Sequence, residues 1–563
     1  MSGKNQQEKG VPSELPDGLR RYLYTTAAVT GGCILIVEIL GAKMLSPFFG
    51  TSHFVWTAQI AVTLLALAGG YYLGGWWVDR SPRLGNLYLA IIGAAVYLVA
   101  TVPLVRGVSF ACLKLNLALG SLLASSFLFL IPLALLAMTG PFLVRILTTS
   151  VKTVGGNVGR LTAISTLGSV TGTVLIGYVL IPRLSNPVTM LLTAGLLVGV
   201  SLIYFVVWGR GRMPSSAITV SLLFLVVFGF AGVRPEWSDR LRFGGKDWMV
   251  RAKGNSNFGR MVVIDLYENG RLHRNYLNDN LVQNTYDPVR GRSLSLFTEL
   301  LHGLPMAYHN KMETALCIGM GTGLVPMMLQ KDGVEVDVVE INPGVVPLAE
   351  EWFDFEPKRL RLLEIGDGRH FLNKSRQSYD AVVLDAFLGD SSPSHLMTVE
   401  AFEAVRSRMA KGGVLAMNTF GRGLKGYGEI EDERLVFDRE EDYYTVSIYR
   451  TLKEVFPHVV VHGAGNGNVF FVASMEPLKA RREPEFEYAH PDLAMDLKDE
   501  FVRSRVDWRF QVWPAWQRKW RVETKDAAGQ ELGMVMRDDF NPIDFHDAGH
   551  RESTRRGLVA GMQ

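Results

Sequence analysis

Glycines and acidic residues follow four successive strand-like segments in the second half of the chain. In chain order they are the turn Gly319–Gly323, then Glu340, Asp367 with Gly368, and Asp385. Glycines allow a backbone to approach a ligand closely, and carboxylates accept hydrogen bonds from hydroxyl and amine groups. If these segments are neighbouring parallel strands, their carboxyl ends share the edge of a sheet where ligands bind. The spacing therefore predicts a pocket at that edge.

The first two features indicate part of the ligand. The turn contains Gly321, Thr322 and Gly323 and opens a helix, where polar or negative groups are favoured. Leu324 stands where the dinucleotide fingerprint GxGxxG requires its last glycine. Glu340 ends the next strand, about twenty residues on, the position of a carboxylate that takes both hydroxyls of a ribose. A ribose is therefore expected, without a full dinucleotide motif.

The remaining features extend this prediction. Asp367 lies between Gly366 and Gly368, where a carboxylate can accept a hydrogen bond from the exocyclic amine of adenine. Asp385 ends the fourth strand at the ligand-binding edge. Each feature alone also fits an ordinary turn or a solvated strand end. Four of them at successive strand ends together predict an adenosyl ligand rather than a nicotinamide dinucleotide.

Strand and helix patterns position these residues. The segments 247–252, 259–267 and 271–284 are rich in β-formers, and a hairpin turn is predicted at 268–270. Strands and helices then alternate to about residue 420, which predicts a parallel, doubly wound sheet with helices on both faces. A later strand pair within 458–475 predicts an antiparallel edge.

Residues 22–234 are mostly apolar, whereas the remainder of the chain has the composition of an ordinary soluble sequence. Hydrophobic residues make up 48% of the 563-residue chain and charged residues only 20%, against about 25% charge in soluble proteins. Roughly 20 apolar residues can cross a bilayer core as a helix. A helical hairpin within 107–147, instead of one helix, would raise the number of spans from seven to eight. The seven predicted spans are 23–45, 54–78, 87–105, 115–138, 159–182, 187–208 and 216–233.

These patterns divide the chain into five parts. The net charge of +3 is too balanced to indicate a nucleic-acid partner. The three cysteines lack a paired spacing, so neither a disulfide framework nor a metal site is predicted. The parts are a polar tail (1–21), a membrane domain (22–234), a small β subdomain (235–290), a Rossmann-like catalytic domain (291–480) and a C-terminal extension (481–563).

Basic residues around the predicted spans indicate their orientation. They cluster before the first span and after the second, fourth and sixth, which places the N-terminus in the cytoplasm. Seven spans would then place the C-terminal domain outside, where a nucleotide-like cosubstrate is scarce. We give the chemistry of that domain more weight. We therefore expect a multi-pass protein of the cell inner membrane with a cytoplasmic catalytic domain.

Over about residues 250–475 the chain resembles the spermidine synthase (polyamine aminopropyltransferase) family. As a whole it is similar to the membrane-fused spermidine synthase-like proteins of bacteria. The resemblance implies a Rossmann-like α/β domain of the class I methyltransferase and spermidine synthase type, preceded by a small β subdomain. It is carried by Gln283 in LNDNLVQNTY, Glu299, Leu304-Pro305, the glycine turn, Glu340 in EIN, Asp367 in GDG, and Asp385.

The resemblance also implies a reaction: transfer of the aminopropyl group of decarboxylated S-adenosylmethionine to a polyamine such as putrescine. The nucleophile must be a neutral amine, although free alkylamines titrate near pKa 10. Asp385 is predicted to accept the departing proton. A homodimer is left open. The cosubstrate is predicted to contact Gln283, Gly319, Gly321, Thr322, Gly323, Glu340, Asp367 and Gly368. The acceptor amine is predicted to contact Glu299, Asp390 and Asp539.

The chain departs from the family at the amine half of the site. Thr322 replaces the aspartate of the family's GGGDG turn, and Phe297 replaces a tyrosine. The family's histidine before the proline falls at Gly303, with His302 displaced by one residue. Asp390 comes two residues late for the second aspartate of the family's DSSD loop. The nucleoside half is therefore kept while the amine half is altered.

Two other functions remain open from the sequence. Without an anion at Thr322, the turn would no longer repel the carboxylate of S-adenosylmethionine itself. This favours a methyltransferase acting on an amine or a membrane-associated substrate. The third alternative is a non-enzymatic polyamine transporter or sensor, since the apolar half is long enough to form a transport unit.

Overall fold

The structure, a computed structural model, describes most of the chain, and every structural statement below concerns the described residues. The chain divides into two compact units, one formed by residues 1–46 and 54–237 and the other by residues 47–53 and 238–563. We call them the helical unit and the α/β unit. The described residues are 15–50, 53–148, 154–209, 239–243, 245–268, 271–309, 311–387, 393–420, 434–435, 443–463, 468–479, 521–522, 524 and 529–542.

The helical unit contains eight described α-helices. A π-helical turn, Ser126–Leu130, joins the fourth and fifth of them, and a second one, Ile176–Leu180, continues the seventh. The helices are α1 (Asp17–Phe49), α2 (His53–Arg80), α3 (Leu84–Cys112), α4 (Leu117–Ser125), α5 (Ile131–Ala137), α6 (Thr139–Leu147), α7 (Val154–Leu175) and α8 (Asn186–Val207).

Six helical stretches are long and apolar enough to cross a membrane. They correspond to the first six predicted spans, and the seventh, 216–233, lies outside the described residues. Leu117–Leu147 forms a single stretch. Among the described residues, this segment therefore does not form the helical hairpin that an eighth span would need. A π-helical turn precedes Pro132, and local adjustments of this kind accommodate proline in apolar helices.

The α/β unit begins with a six-stranded antiparallel sheet in chain order. The predicted β-rich segment 271–284 contains two strands joined by a hairpin turn. Asp279 and Asn280 both have positive φ and form the tight turn between them, as two-residue hairpins require. The strands are β1 (Arg240–Phe243), β2 (Lys246–Ser256), β3 (Gly259–Glu268), β4 (Arg271–Asn278), β5 (Leu281–Asp287) and β6 (Arg292–Ser293).

A seven-stranded sheet follows. Its strands are β7 (Thr314–Ile318), β8 (Glu335–Glu340), β9 (Leu362–Ile365), β10 (Tyr379–Leu384), β11 (Met409–Phe420), β13 (His458–Gly463) and β14 (Asn468–Ser474). Two further short strands, β12 (Arg434–Leu435) and β15 (Arg521–Val522), pair with each other. The helices of this unit are α9 (Leu296–Tyr308), α10 (Leu324–Lys331), α11 (Val345–Trp352), α12 (Gly368–Lys374), α13 (Val399–Arg406) and α14 (Tyr443–Val455).

The strand order of the large sheet is β13-β14-β11-β10-β7-β8-β9. Strands β7 to β11 pair in parallel, and β14 is antiparallel to both of its neighbours. This confirms the predicted Rossmann-like sheet with an antiparallel edge. The order reverses direction between β7 and β10. Such a switch point opens a crevice at the carboxyl ends of the strands, where ligands bind in this fold.

Burial on both faces holds the sheet together. Ala315 and Cys317 of β7 point into one apolar cluster, and Leu316 and Ile318 point into the other. Side chains alternate between the faces of a strand, so a continuous apolar run marks a strand covered by helices on both sides. This is why the sequence pattern identified these strands.

Part of the C-terminal extension packs on the α/β unit. Met536 is fully buried in the cluster beneath α13 and α14. The Met536 carbonyl accepts a hydrogen bond of 2.9 Å from the Val399 N–H, and its own N–H donates to Thr451 Oγ1 at 3.0 Å. Residues 529–542 are therefore an integral part of this unit.

Candidate active site

A pocket lies at the switch point of the large sheet. It is lined by residues at or just after the carboxyl ends of β7, β8, β9, β10 and β11, together with residues of β4, β5, α9 and β14. The polar and charged residues in its wall are Tyr276, Asn278, Gln283, Asn284, Glu340, Asn342, Asp367, Asp385, His395, Asn418 and Asn468. The structure therefore brings Gly319 and Gly321 of the glycine turn, Gly368 and the three predicted strand-end acids into one pocket, whereas Thr322 and Gly323 do not line it.

The glycine turn is packed directly against the end of β10. Gly319 has φ +85°, and a Cβ there would lie 2.3 Å from the Asp385 carbonyl oxygen. The Gly319 N–H donates to the Val339 carbonyl at 2.9 Å. Only glycine fits this position, because any side chain would push β7 and β10 apart. The turn thereby keeps Asp385 next to the ligand-facing backbone.

Gln283 reaches the pocket because strand β5 contains a bulge. Tyr276 pairs with Asn284 while Leu277 pairs with Val282, which leaves Gln283 as an extra residue on its strand. A bulge changes the direction of side chains and is common beside active sites. Both Gln283 and Asn284 consequently line the pocket.

Asn284 also fixes the glycine turn. Its Oδ1 accepts a hydrogen bond of 3.2 Å from the Thr322 N–H. Thr322 itself is fully buried, and its Oγ1 has no hydrogen-bond partner in the described structure. Thr322 does not line the pocket wall. The described structure therefore does not place this side chain against the pocket, and its contact with the ligand stays a prediction.

Glu340 is buried and held by main-chain donors. Its Oε2 accepts from the Met320 N–H at 2.9 Å, and its Oε1 accepts from the Asn342 N–H at 2.7 Å. Burial raises the pKa of Glu340, while hydrogen bonds from the N–H groups of Asn342, Met320 and Ile341 oppose that rise. Each oxygen keeps a further lone pair for a ligand hydroxyl. The carboxylate is thus fixed in direction before any ligand arrives.

Asp367 caps helix α12 and pairs with a histidine. Its Oδ1 accepts from the His370 N–H at 2.8 Å, and its Oδ2 lies 2.8 Å from His395 Nε2. Burial alone would raise the pKa of Asp367, but the hydrogen bonds from His370 and His395 hold it below its ordinary value. Asp367 is therefore an ionised acceptor at neutral pH.

The C-terminal extension supports this corner of the pocket. Asp538 forms a two-pronged ion pair with Arg369, with 2.6 Å between Oδ1 and Nη1. Arg369 Nη1 also donates to the His395 carbonyl at 3.1 Å. Thr398 Oγ1 donates to Asp538 at 2.8 Å. The extension therefore holds His395, which in turn contacts Asp367.

Asp385 lies at the centre of the pocket. Asn418 Nδ2 donates to its Oδ1 at 2.9 Å, and Asn468 Nδ2 donates to Asn418 Oδ1 at 2.9 Å. Burial raises the pKa of Asp385 to about 6, with a further rise from Glu340, against the lowering effect of Asn418. A carboxylate with this pKa is ionised at neutral pH and can still accept a proton.

The pocket is acidic. Among the described residues that line it, three are carboxylates and none is Lys or Arg. Such a wall favours a ligand with positive charge, such as a sulfonium or an ammonium group. In the described part of the chain, no group of three or more His, Cys, Asp or Glu side chains is arranged to hold a metal ion.

Three predicted substrate contacts are not found in the described pocket. Glu299 does not line it: the residue is 1% exposed within α9, away from the pocket wall. Burial raises the pKa of Glu299 to about 7, although His302, Arg292 and Lys331 lower it. The helix turns Phe297 toward the pocket instead. The structure thus places Glu299 outside the described pocket wall, because residues two apart point to different sides of a helix, and its contact with the amine stays a prediction.

The other two acids have different outcomes. Asp539 is exposed and does not line the pocket, whereas its neighbour Asp538 is bonded to Arg369. The extension does fold back, but it supports the wall rather than supplying a ligand. Asp390 lies outside the described residues.

Several polar residues of the described wall were missed from the sequence, and the side chains of three of them contact predicted site residues directly. Asn418 lies near the end of the fifth parallel strand, in NTF, so its position close to a strand end was an available signal. Asn284 was adjacent to the predicted Gln283, but nothing in the sequence indicated the bulge. His395 lies in a loop, and its contact with Asp367 depends on the tertiary fold.

The fold and the pocket together define an α/β protein of the class I methyltransferase type, with an acidic ligand site at its switch point. Residues 294–422 match the family model described as the spermine/spermidine synthase domain. This segment is therefore similar to a spermine/spermidine synthase domain, and the match covers less than half of the chain.

Individual relatives agree with the family and differ in activity. A polyamine aminopropyltransferase of Vibrio vulnificus is 38% identical over 120 residues, which are 20% of this chain and 40% of that protein. An N-terminal histidine N-methyltransferase of Emericella nidulans is 29% identical over 227 residues, 37% of each protein. The chain thus spans two fifths or less of these relatives. A solved spermidine synthase from Thermotoga maritima is 18% identical and covers 49% of this chain and 90% of its own, with a TM-score of 0.33.

Proposed function

We propose that this protein is a polyamine aminopropyltransferase that uses decarboxylated S-adenosylmethionine as the donor. The observation that carries the proposal is the position of Asp385. It lies in the same pocket as Glu340 and Asp367, and its raised pKa suits a group that accepts a proton. The spermine/spermidine synthase domain at residues 294–422 supports the same reaction class.

The proposed step is a direct displacement. The lone pair of a neutral primary amine forms a C–N bond with the aminopropyl carbon beside the sulfonium. The C–S bond breaks, and its electrons leave with sulfur as methylthioadenosine. The proton lost by the new ammonium passes to the carboxylate of Asp385, which Asn418 holds in place. Asp385 then returns the proton to water.

The nucleoside side of the pocket, defined by Glu340 and Asp367, fits the donor. Glu340 is oriented by two main-chain N–H groups and can accept from the ribose hydroxyls. Asp367 is ionised and lies at the end of β9, where it can accept from the adenine amine. The absence of Lys and Arg from the described wall favours the positive sulfonium. We therefore assign the ribose to Glu340 and the adenine to Asp367, which line the same pocket.

A second candidate is methyl transfer from S-adenosylmethionine to an amine. Two observations favour it. Thr322 places a neutral side chain at the turn, and a relative of this chain is named as a histidine N-methyltransferase. The same pocket and the same proton acceptor would serve both reactions, because both alkylate an amine from an adenosyl sulfonium.

A binding and product experiment separates the two. The purified full-length protein in detergent is titrated with each donor, and the shift of its melting temperature is measured. It is then incubated with donor and putrescine or another amine, and the adenosyl product is identified. We expect decarboxylated S-adenosylmethionine to give the larger shift and methylthioadenosine to accumulate. A larger shift with S-adenosylmethionine, together with S-adenosylhomocysteine as product, would contradict the first proposal and support the second.

We further propose that the helical unit spans the cell inner membrane and that the α/β unit is cytoplasmic. Six helical stretches of sufficient length and apolar composition support the first part. The need for a cytoplasmic donor supports the second. Alkaline phosphatase fused after residue 563 should be inactive, because this enzyme folds only outside the cytoplasm. An active fusion would place the catalytic unit on the other side.

A further inference from the structure

A second cavity lies within the helical unit. Its volume is about 500 Å³, and small-molecule pockets in proteins measure about 300–1,000 Å³. Residues of α1, α2, α5, α6 and α7 line it. We call the hydroxyl-bearing residues among its described lining the hydroxyl wall. They are Thr30, Tyr71, Thr139, Thr162, Ser165, Thr166 and Ser169.

Helix α7 supplies one face of the hydroxyl wall. Its members at positions i, i+3, i+4 and i+7 are Thr162, Ser165, Thr166 and Ser169. This spacing places them on one side of the helix. Glycines hold α7 close to α1, since a Cβ at Gly168 would lie 2.0 Å from the Ala28 carbonyl oxygen. The packing of these two helices therefore fixes the position of the hydroxyl face beside the cavity.

Two members of the hydroxyl wall present lone pairs to the cavity. Thr30 Oγ1 donates to the Thr26 carbonyl at 2.9 Å. Ser169 Oγ donates to the Gly31 carbonyl at 3.0 Å. A hydroxyl group has one hydrogen and two lone pairs, so an oxygen whose hydrogen is already donated can only accept. At these positions the wall favours a ligand that donates hydrogen bonds.

Thr139 is a member of the hydroxyl wall with an unused hydroxyl group. It is 3% exposed, and its Oγ1 has no hydrogen-bond partner among the described residues. Burial of a hydroxyl group without a hydrogen bond is unfavourable. A molecule in the cavity would supply the missing bond. This observation is independent of the volume of the cavity, and it also indicates a bound ligand.

A carboxyl group lies one helical turn from the lining of the cavity. Ile34 of α1 lines the cavity, and Glu38 follows one turn later on the same face. Leu67 of α2 lines it as well, and Thr63 lies one turn earlier. Glu38 and Thr63 share a side-chain hydrogen bond, so the two faces meet there. Lys43 lies five residues after Glu38, which is about 140° around the helix axis.

The position of Glu38 has a physical consequence. Ionisable side chains inside a membrane-spanning helix are costly, and they commonly mark the path or site of a ligand or ion. A carboxylate near the cavity attracts a cation and repels an anion. It also provides the counter-charge without which a buried cation would be unfavourable. The cavity is therefore suited to a ligand with positive charge.

The remaining wall is apolar. Leu35, Leu136 and Leu161 are among the residues that complete the lining. Such surface is best covered by hydrocarbon. Ammonium groups joined by methylene chains satisfy both parts of the wall, because the ammonium donates to the hydroxyl oxygens and the methylenes pack on the leucines.

We propose that the cavity of the helical unit binds a polyamine, with one ammonium group hydrogen-bonded to the hydroxyl wall and Glu38 as its counter-charge. The protein then binds polyamines at two places, the catalytic pocket and this cavity. The proposal rests on the proposed function only in choosing polyamines among the cationic amines. The hydroxyl wall and Glu38 are independent of that function.

The test labels a cysteine placed in the hydroxyl wall. Full-length protein with Cys112→Ser and Ser165→Cys is reacted with N-ethylmaleimide in detergent, and the label is measured by mass spectrometry. Cys112 is replaced because it is half-buried, whereas Cys33 and Cys317 are buried. Spermidine should slow the labelling at least tenfold by covering residue 165. Leu167→Cys is the matched control: this side chain is 66% exposed and does not line the cavity, so spermidine should not slow its labelling.

Substitutions in the cavity region test the assigned contacts. The measured quantity is the spermidine concentration that halves the labelling of Ser165→Cys. Glu38→Gln keeps the size and removes the charge, and should raise this concentration at least tenfold. Thr139→Val removes one hydroxyl group and should raise it about three- to tenfold. Thr171→Val is the control, because Thr171 is exposed on α7 outside the cavity lining and its substitution should change nothing.

A neutral molecule of similar length, 1,8-octanediol, separates charge from shape. Protection by the diol but not by spermidine, or equal protection by spermidine in Glu38→Gln, would overturn the assignment of a cation. Thr162→Cys is the second reporter if Ser165→Cys does not fold or is not labelled. No protection by spermidine, or no labelling at either position, would overturn the site.

The proposed function is tested separately through the formation of methylthioadenosine by the unmodified protein. If methylthioadenosine is not formed while spermidine still protects Ser165→Cys, the proposed function fails and the cavity remains a polyamine site. If methylthioadenosine is formed without such protection, the cavity proposal alone fails.

Discussion

The two sides of the pocket hold their carboxylates in different ways. Glu340 on the nucleoside side is bound by two main-chain N–H groups, and Asp367 is bound by one main-chain N–H and a histidine ring. Asp385, which is assigned to the acceptor amine, is held by the side-chain amide of Asn418. Main-chain donors are retained when side chains change, whereas a side-chain donor can be lost in one substitution.

This difference teaches how such a pocket can change its substrate. The nucleoside side is built from turns and strand ends whose geometry the fold itself maintains. Asp385 is instead held by side chains near the ends of neighbouring strands, Asn418 and through it Asn468, which substitutions can replace. Binding of the adenosyl group can thus persist while the acceptor changes. The predictions below test the difference, from the largest expected effect to the smallest.

The largest effect is expected from Asp385→Asn. The amide cannot accept the proton of the attacking amine, so turnover should fall by about 10²–10⁴-fold. The affinity for the donor should change little, because Asp385 is assigned to the amine. Single-turnover rates and donor binding are measured together. Asp539→Asn is the matched control, since this exposed acid lies outside the pocket wall. Equal losses of binding and turnover in Asp385→Asn would contradict the separation of the two sides.

Glu340→Gln should act on the donor instead. A glutamine can replace one carboxylate oxygen, but its NH₂ group would face the N–H of Met320 or Asn342. The loss of charge-assisted hydrogen bonds should raise the Kd of the donor by about 10–100-fold. Calorimetric titration measures this. Glu335→Gln on the same strand is a suitable control because its side chain is 67% exposed. An unchanged Kd would remove Glu340 from the ribose site.

The pH dependence should show the raised pKa of Asp385, about 6. The ionised form is the proton acceptor, so kcat/KM, calculated for the neutral amine, should fall as pH drops through about 6. One pH unit below the pKa, about one tenth of the carboxylate remains ionised, and the rate should be about tenfold lower. Asn418→Ala removes the hydrogen bond that lowers this pKa, so it should move the fall to higher pH. A profile that is the same in Asp385→Asn would assign the fall to another group.

The smallest effect is expected from Asp538→Ala. Removal of this partner frees Arg369, whose other bond holds the His395 carbonyl at the wall. Asp538 is 44% exposed, and exposed ion pairs contribute little, so the donor Kd should rise only about two- to fivefold. The turnover number should be unchanged. Asp539→Ala is the control: this neighbouring substitution should leave the donor Kd unchanged. A lower turnover number with unaltered KM would contradict a positioning role.

The sequence predicted the architecture of the α/β unit because its signals are local. Runs such as TALCI and YDAVVL have the continuous apolar character of strands buried on both faces, and the structure shows them as β7 and β10. Spacing then placed the glycine turn, Glu340, Asp367 and Asp385 at successive strand ends. The sequence did not define the residues at which strands β4 and β5 turn. The turn at Asp279 and Asn280 lies in NDN, where positive φ at both residues is not evident from composition.

The tertiary structure decided what surrounds each acid. The sequence could not show that Glu299 turns into the core while Phe297 faces the pocket, since that depends on which side of α9 meets the sheet. Nor could it show the bulge at Gln283, because a bulge is defined by the pairing of two strands. The contacts of Asp385 with Asn418, and of Asp538 with Arg369, join residues 33 and 169 positions apart. Residue types and spacing determine which groups reach a strand end, but only the packing of strands and helices determines which groups meet there.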